Sequence, residues 1–324
     1  MMINVNEAAE FLKEHDDYLI LMHASPDGDT LGCGYALCGA LQRIGKRARA
    51  VCPDEIPKKF EYLFAAVKED RDLEYKTVVC VDVADTKLLG DMKETGDTAE
   101  LCIDHHLSNI GYAKRTLLRH DYAAACEIIY KVILALGVEF DKQLAECVYT
   151  GIATDTGCFK FSNTTAQTHI IAAEMIRFGA DFARINYINF DLKTQGRIKL
   201  EQEILNNIRY YANGRVAVIS VPLSLLESIP DIDNDDVGAL ANLPRQIEGV
   251  DIGICIKEKK PGVFKASMRS SNLVNAADIC MKFGGGGHKR AAGCSFSDCT
   301  LEQSEERIVK ECCEVISRLG QNGN

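Results

Sequence analysis

The sequence predicts an α/β protein: an N-terminal, mostly parallel sheet flanked by helices, with a second, smaller α/β domain joined to it by a helical linker. Two observations carry this expectation. Through the first half, short apolar runs alternate with segments of helical periodicity, the pattern of strands connected by crossover helices. Past residue 190 a long polar segment intervenes, and a fresh set of strand-like runs begins. The expected organisation is a first domain over 1–190, a linker over 191–213 and a second domain over 214–324. A chain of 324 residues is long enough for two cores.

In order, Tyr18–Met22 reads as a strand and Leu31–Ile44 as the helix after it. Thr77–Val83 and Leu101–Ile103 are again strand-like. Cys126–Leu136 and Gln143–Ile152 have helical spacing, and Ala166–Phe178 is a helix begun by Asn163–Thr165. Asp191–Tyr211 is polar and helical, ending at Asn213–Gly214. Strands follow at Val216–Val221, Asp251–Ile256 and Phe264–Met268. A glycine cluster at Gly284–Gly287, a strand around Gly293–Phe296 and a closing helix from Leu301 complete the chain.

Composition narrows the function. Hydrophobic residues make up 47% and charged residues 26%, as in ordinary globular proteins. A net charge of -10 argues against electrostatic capture of long nucleic acid. A short phosphorylated ligand needs cations only locally. The 14 cysteines are scattered through apolar runs without a C-x-x-C pair, so they read as free thiols in a reducing compartment. Met1–Glu10 is polar and lacks a secretory pattern, and no apolar run approaches a membrane span. The expectation is a soluble, cytoplasmic protein.

Ligands of parallel sheets gather at the carboxyl ends of the strands, and there the polar clusters fall. His23-Ala-Ser-Pro-Asp27-Gly-Asp29 follows the first strand, and Pro26 and Gly28 turn the chain so that three ligand-type side chains can converge. Asp-Gly-Asp also occurs in plain surface turns. Asp82 ends an apolar run, where a bare carboxylate is costly without a cation, while Asp85 and Thr86 suit a helix cap. Asp104-His105-His106 closes the next run; three ionisable residues there are hard to explain by packing. Asp155, in Thr150-Gly-Ile-Ala-Thr-Asp155-Thr-Gly157, ends a helix that turns through glycines, and it reads equally as a turn residue. Carboxylates with imidazoles suit Mn²⁺ better than Mg²⁺. There are enough of them for two metals with a shared carboxylate, the arrangement used for phosphoryl displacement. No phosphate-binding P-loop is present.

In this order, His23-x-x-x-Asp27-x-Asp29, Asp82, Asp104-His105-His106 and Asp155 resemble the four motifs of the DHH phosphoesterase family. The run Gly284-Gly-Gly-Gly-His288-Lys289-Arg290-Ala-Ala-Gly293 resembles the glycine–histidine motif of the associated DHHA1 domain. Size and layout are similar to the stand-alone NrnA-type members, which degrade very short oligoribonucleotides and dephosphorylate 3′-phosphoadenosine 5′-phosphate (pAp). The resemblance implies one metal on His23 and Asp27, another on Asp29, His105 and Asp155, and Asp82 bridging them. It implies that Asp104 orients a ligating histidine and that His106 faces the phosphate, so that Asp82 and His106 carry the chemistry. A hydroxide between the metals would attack phosphorus.

The second domain would grip the substrate. Gly285, Gly286 and Gly287 let backbone approach an anion, and His288 and Arg269 add charge to hold a terminal phosphate. Lys289 and Arg290 serve equally as solvated surface. Relatives often carry Ser or Thr where this chain has Ala123-Ala-Ala125-Cys126, and no role is assigned there; His120 and His169 have no cluster around them. The expected partner is short RNA or a nucleotide, including linear dinucleotides such as pApA and pGpG, with no long duplex and no membrane; a homodimer is left open. Alternatives are a cyclic-dinucleotide phosphodiesterase and a non-catalytic nucleotide sensor. A RecJ-like exonuclease is disfavoured by chain length and acidity, and a family II pyrophosphatase by the Gly284–His288 run.

Overall fold

The computed structural model describes residues 1–230, 232, 237–271 and 273–321. The chain divides into two compact units, Met1–Leu192 and Lys193–Asn324. In the first, five strands run parallel in the order β2-β1-β3-β4-β5, with β1 Tyr18–Leu21, β2 Ala48–Val51, β3 Thr77–Val81, β4 Leu101–Asp104 and β5 Arg115–Leu118. The order reverses between β1 and β3, so the connections leave those strands in opposite directions. That opens a crevice at their carboxyl ends.

Alternation along these strands builds two unequal layers. Ile20, Val79, Val81, Leu101 and Ile103 face the larger core, formed with α1 (Val5–Glu14), α2 (Gly28–Arg43), α4 (Ala125–Leu136) and α5 (Lys142–Asp155). Leu19, Leu21, Val78, Cys80 and Cys102 face a smaller one covered by Val83, Leu89, Ala99 and Ala113, with the short α3 (Lys93–Gly96) just before Ala99. The sheet is covered on both faces, but by long helices on only one of them. The short half-exposed runs of β2 and β5 and the N-terminal helix α1, capped by Asn4, escaped the periodicity reading.

The second unit is a mixed six-stranded sheet in the order β10-β11-β9-β8-β7-β6. Its strands are β6 Arg209–Tyr211, β7 Val216–Val221, β8 Ile252–Lys260, β9 Val263–Ser270, β10 Gly286–His288 and β11 Ala291–Ser297. The helices Ala276–Met281 and Leu301–Gln321 pack on one face through Ile279, Cys280, Ile308 and Cys312. The segment expected as a linker is built into this unit. Helix Gln195–Asn206 inserts Leu200 and Ile204 beside Ile219 and Val221, and Arg209–Tyr211 pairs with β7. Its two buried leucine-type positions are masked in the sequence by the surrounding charge. Among the described residues no helix is long and apolar enough to cross a membrane.

Candidate metal centre

Four chain segments deliver the site. His23 lies just past β1, and Asp27 caps α2, its Oδ1 accepting the N–H groups of Asp29 at 3.0 Å and Thr30 at 3.1 Å. Asp29 is therefore in the first turn of α2 and completely buried. Its carboxylate accepts the Ala125 N–H at Oδ2 (2.6 Å) and the Cys126 N–H at Oδ1 (2.9 Å). Those are the first N–H groups of α4, whose own N-cap is an alanine. Asp29 caps a second helix from outside, which is why Ala123-Ala-Ala125 tolerates the missing hydroxyl.

Asp82, after β3, is 2% exposed and holds φ at 58°, a left-handed conformation rare outside glycine. Roughly 1–2 kcal/mol of backbone strain is retained there to aim the carboxylate. Its Oδ2 lies 3.6 Å from His23 Nε2, and its Oδ1 3.6 Å from His105 Nε2. Asp27 Oδ1 is 3.8 Å from His23 Nε2. On the other side Asp29 Oδ2 and Asp155 Oδ2 approach His105 Nε2 at 3.8 and 3.3 Å. Two ligand sets result, His23–Asp27–Asp82 and Asp29–His105–Asp155, with one oxygen of Asp82 directed at each.

These residues fit divalent cations. Asp82 Oδ1 and His105 Nε2 are buried without a hydrogen-bond partner, a costly state for groups that a cation would satisfy. Both imidazoles are held with Nε2 free: His23 Nδ1–H donates to the Ala24 carbonyl at 2.8 Å and His105 Nδ1–H to that of Tyr122 at 3.3 Å. Burial, and then the nearby charges of Asp29, Asp27, Asp155 and Asp104, push the Asp82 carboxyl well above its usual range. Burial with Asp29 and Asp27 does the same to Asp155. Positive charge is what this cluster lacks.

Asp104 lies behind the centre, and the ring it holds is that of His106, not that of His105. His106 Nδ1–H donates to Asp104 Oδ1 at 2.8 Å, the His105 N–H donates to the same oxygen at 2.8 Å, and Asn109 Nδ2–H donates to Oδ2 at 2.6 Å. Burial alone would raise Asp104; the bonds from His106 and Asn109 outweigh it and hold the carboxyl below its usual range. The bond to Asp104 lifts His106 above the usual imidazole range, against the opposing effect of burial. Asp85 caps the following turn as expected.

Gly151 lies inside α5, not at a turn; the turn comes at Gly157, with φ at 56°. A Cβ at Gly151 would meet Cys126 Sγ and sit 2.6 Å from Asp29 Oδ1. The glycine lets α5 press against α2, which brings Asp155 to Asp29. Sequence reasoning missed this, along with Asn109 and the two carbonyls that fix the histidines. Among them only Asn109, five residues past Asp104, left a readable signal. His120 is exposed, and His169 stacks on Phe159 with ring centroids 5.1 Å apart.

In the second unit, direct cross-strand pairing runs His288–Ala291–Arg269, so His288 and Arg269 share one face of the sheet, two strands apart. Arg269 Nε–H donates to Asn242 Oδ1 at 3.1 Å. The glycines divide. Gly285 and Gly287 are required by the chain itself, since a Cβ on either would strike the backbone of β11, whereas Gly286 opens onto free space.

Carboxylates and imidazoles gathered at the switch point of a parallel sheet define a metal-dependent phosphoesterase. The chain belongs to the DHH family: residues 17–152 match the DHH family N-terminal domain and residues 213–318 the DHHA1 domain. Among curated relatives, the bifunctional oligoribonuclease and PAP phosphatase NrnA of Thermus thermophilus is 30% identical over 318 residues, covering 96% of this chain and 94% of the relative. The protein of the same description from Bacillus subtilis is 25% identical, over 87% and 90%. Among solved structures, an exopolyphosphatase-related protein from Bacteroides fragilis superposes with a TM-score of 0.87 at 23% identity, over 98% of this chain and 97% of that one. Exonuclease RecJ bound to manganese gives 0.56 at 14% identity, over 95% and 94%. At such identities these two structures speak for the fold alone.

Proposed function

We propose that this chain hydrolyses very short oligoribonucleotides, including linear dinucleotides, to mononucleotides and dephosphorylates pAp to AMP, with two divalent cations, Mn²⁺ the best fit, in the cytoplasm. The observation that carries the reading is Asp82: buried, strained, and offering one oxygen to each of two histidine–carboxylate sets. His23, Asp27 and Asp82 would hold one cation and Asp29, His105, Asp155 and Asp82 the other. The cations would supply Lewis-acid polarisation of a phosphoryl oxygen and a hydroxide at neutral pH.

The chain's own residues do the rest. His106, its pKa raised by the bond to Asp104 and its side chain 39% exposed, has Nε2 left to donate to a phosphoryl oxygen as negative charge builds there. Asp104 keeps that ring oriented and favours its charged form. Arg269 and His288 supply charge for a terminal phosphate without a basic surface, consistent with the net charge of -10. The short substrates follow from the names of the curated relatives, matched over nearly their whole length.

The test is hydrolysis of pAp, pApA, cyclic di-AMP, pyrophosphate and an RNA ladder of increasing length, with Mn²⁺ and then with chelator. Manganese-dependent loss of pAp and the shortest RNAs is expected. Selective loss of the cyclic dinucleotide would replace this reading with a second-messenger phosphodiesterase, and no hydrolysis at all would leave a nucleotide sensor. Arg269→Ala should raise KM by about tenfold for substrates with a terminal phosphate. Equal effects on substrates lacking one would remove it from the grip.

A further inference from the structure

Beside the Asp29–His105–Asp155 set the chain gathers two thiols. Cys33 stands one helical turn after Asp29 on α2, which sets both side chains on one face. Its Sγ lies 3.7 Å from Asp29 Oδ1 and 3.4 Å from the Sγ of Cys126, in the first turn of α4. Cys126 also holds this carboxylate through its backbone, its N–H donating to Oδ1. Asp29 thus divides its oxygens: Oδ2 turns to His105, 3.8 Å away, and Oδ1 to the sulfurs. All three side chains are completely buried.

These spacings suit ligands around one small cation. With bonds of about 2.3 Å to sulfur and about 2.0–2.2 Å to a carboxylate oxygen, donors on a tetrahedral zinc ion stand roughly 3.5–3.8 Å apart. The observed 3.4 and 3.7 Å need only a few tenths of an ångström of adjustment. Glycines keep the room around the Cys126 sulfur. A Cβ on Gly32 of α2 would stand 2.9 Å from it, and one on Gly151 of α5 would stand 2.3 Å away. Two main-chain oxygens are also at hand for a fourth position, Asp29 O at 3.6 Å and Cys147 O at 3.9 Å from Cys126 Sγ.

The donors differ in kind from those of the two sets already described. Imidazole and carboxylate suit manganese, whereas two thiols with one carboxylate select a softer ion such as Zn²⁺ or Cd²⁺. Binding is an exchange: each thiol gives its proton to solvent, two metal–sulfur bonds form, and one divalent ion replaces two protons. No electron moves, and the net charge of the buried cluster is the same before and after. Mn²⁺ gains too little from sulfur to drive that exchange. Asp29 is the member shared with the manganese-type set. A dication held on its Oδ1 draws the carboxylate away from His105 and repels a second dication across it.

We propose that Cys33, Cys126 and Asp29 form a third metal site, for thiophilic divalent cations of the zinc and cadmium class, whose occupation weakens manganese at the Asp29–His105–Asp155 set. The centre then responds to which metal is present as well as to how much. The inhibitory part rests on the reading above that this set holds a working cation; the binding of the thiophilic ion does not.

The experiment titrates Cd²⁺ into the full chain, kept reduced with a phosphine and saturated with Mn²⁺, and follows the ultraviolet charge-transfer band of cadmium thiolates. Cys33→Ala and Cys126→Ala, each checked for folding by circular dichroism, are the comparison. Either removes one sulfur of the pair and leaves the backbone donors of Asp29 in place. Wild type should develop the band at one equivalent of cadmium, and both variants should lack it at that stoichiometry. Cadmium should also raise the melting temperature of wild type more than that of either variant. In hydrolysis of pAp with Mn²⁺ saturating, Zn²⁺ should halve the wild-type rate at a concentration about tenfold below that needed for the variants, each protein read against its own manganese-only rate. A band as strong in the variants as in wild type would overturn the site. Loss of the band with unaltered zinc inhibition would overturn the coupling through Asp29. If wild type binds cadmium through these sulfurs yet hydrolyses no substrate, the site stands and the proposed activity falls.

Discussion

The neighbouring strands β3 and β4 each end at a buried aspartate, and the two carboxylates differ in everything except burial. Asp104 is fully buried and receives hydrogen bonds from the His106 ring, the His105 backbone and Asn109. Its pKa is held down although burial works to raise it. Asp82 is 2% exposed, has an oxygen without any donor and faces other carboxylates. Its pKa is driven up by burial and by those neighbours. Burial therefore does not decide what a strand-end carboxylate is for; its complement of donors does. Asp104 is complete as it stands and raises the pKa of His106, while Asp82 keeps a buried oxygen that a cation would satisfy.

Neutralising each in turn should separate them. Asp82→Asn is expected to lower kcat/KM on the order of 10³-fold or more. In chelator the same change should raise stability by about 1–3 kcal/mol, because an unpaired buried carboxylate is replaced by a neutral amide. Asp104→Asn should lower activity about 10–100-fold, as loss of an orienting partner does, and should lower stability. Thermal melts of both variants in chelator decide the matter, and shifts of the same sign would break the comparison.

The pH dependence sharpens it. His106 titrates above its usual 6.5, so the stability it adds is full below 6.5 and lost as pH rises through the raised value. Asp104 titrates below its usual 3.8, so its contribution is present above 3.8 and lost only as pH falls through the lowered value. The pair stabilises most between these limits, and the advantage of wild type over Asp104→Asn should shrink on either side. In activity, the alkaline limb of kcat/KM should move to lower pH in Asp104→Asn, since His106 loses the partner that holds its proton. An unmoved limb would mean that His106 is not the group titrating.

How much of this was legible follows from the kind of signal each part leaves. His23, Asp27, Asp29, Asp82, Asp104 and His105 could be read as converging because they follow apolar runs, and parallel strands deliver their ends to one edge; Asp155 ends a helix, and only the family resemblance assigned it to the site. What Asp104 holds could not be read: His105 and His106 are adjacent, and only rotamers decide which ring it meets. The roles of the Ala24 and Tyr122 carbonyls are invisible because every residue has a carbonyl. The charged surroundings of Leu200 and Ile204 disguised a packed helix as a linker.

Gly151 tests whether the two ligand sets depend on how closely α2 and α5 approach. In Gly151→Ala the new methyl would meet Cys126 Sγ and lie 2.6 Å from Asp29 Oδ1. Alanine favours the helix by about 1 kcal/mol, and overpacking costs about 1–3 kcal/mol, so the fold should persist. Activity should fall about 10–100-fold through displacement of Asp29, with every ligand still present. Circular dichroism with Mn²⁺ titration by activity checks this. Normal manganese affinity and rate would show that the close approach serves packing only.

The smallest expected effect is at Asn109, and it tests the completeness of Asp104 directly. Asn109→Ala removes the donor at 2.6 Å from Asp104 Oδ2 and leaves the His106 and backbone bonds in place. The loss of one bond to a charged group should cost about 1.5–3 kcal/mol of stability. With His106 still held, kcat should drop by only about three- to tenfold and KM should stay constant. Asn109→Asp replaces that donor with a second carboxylate against Asp104, so like-charge repulsion joins the lost bond and the penalty should be larger on both measures. If the two variants behave alike, the Asn109 amide is not what keeps the Asp104 carboxyl low, and the bonds from His105 and His106 suffice to complete it.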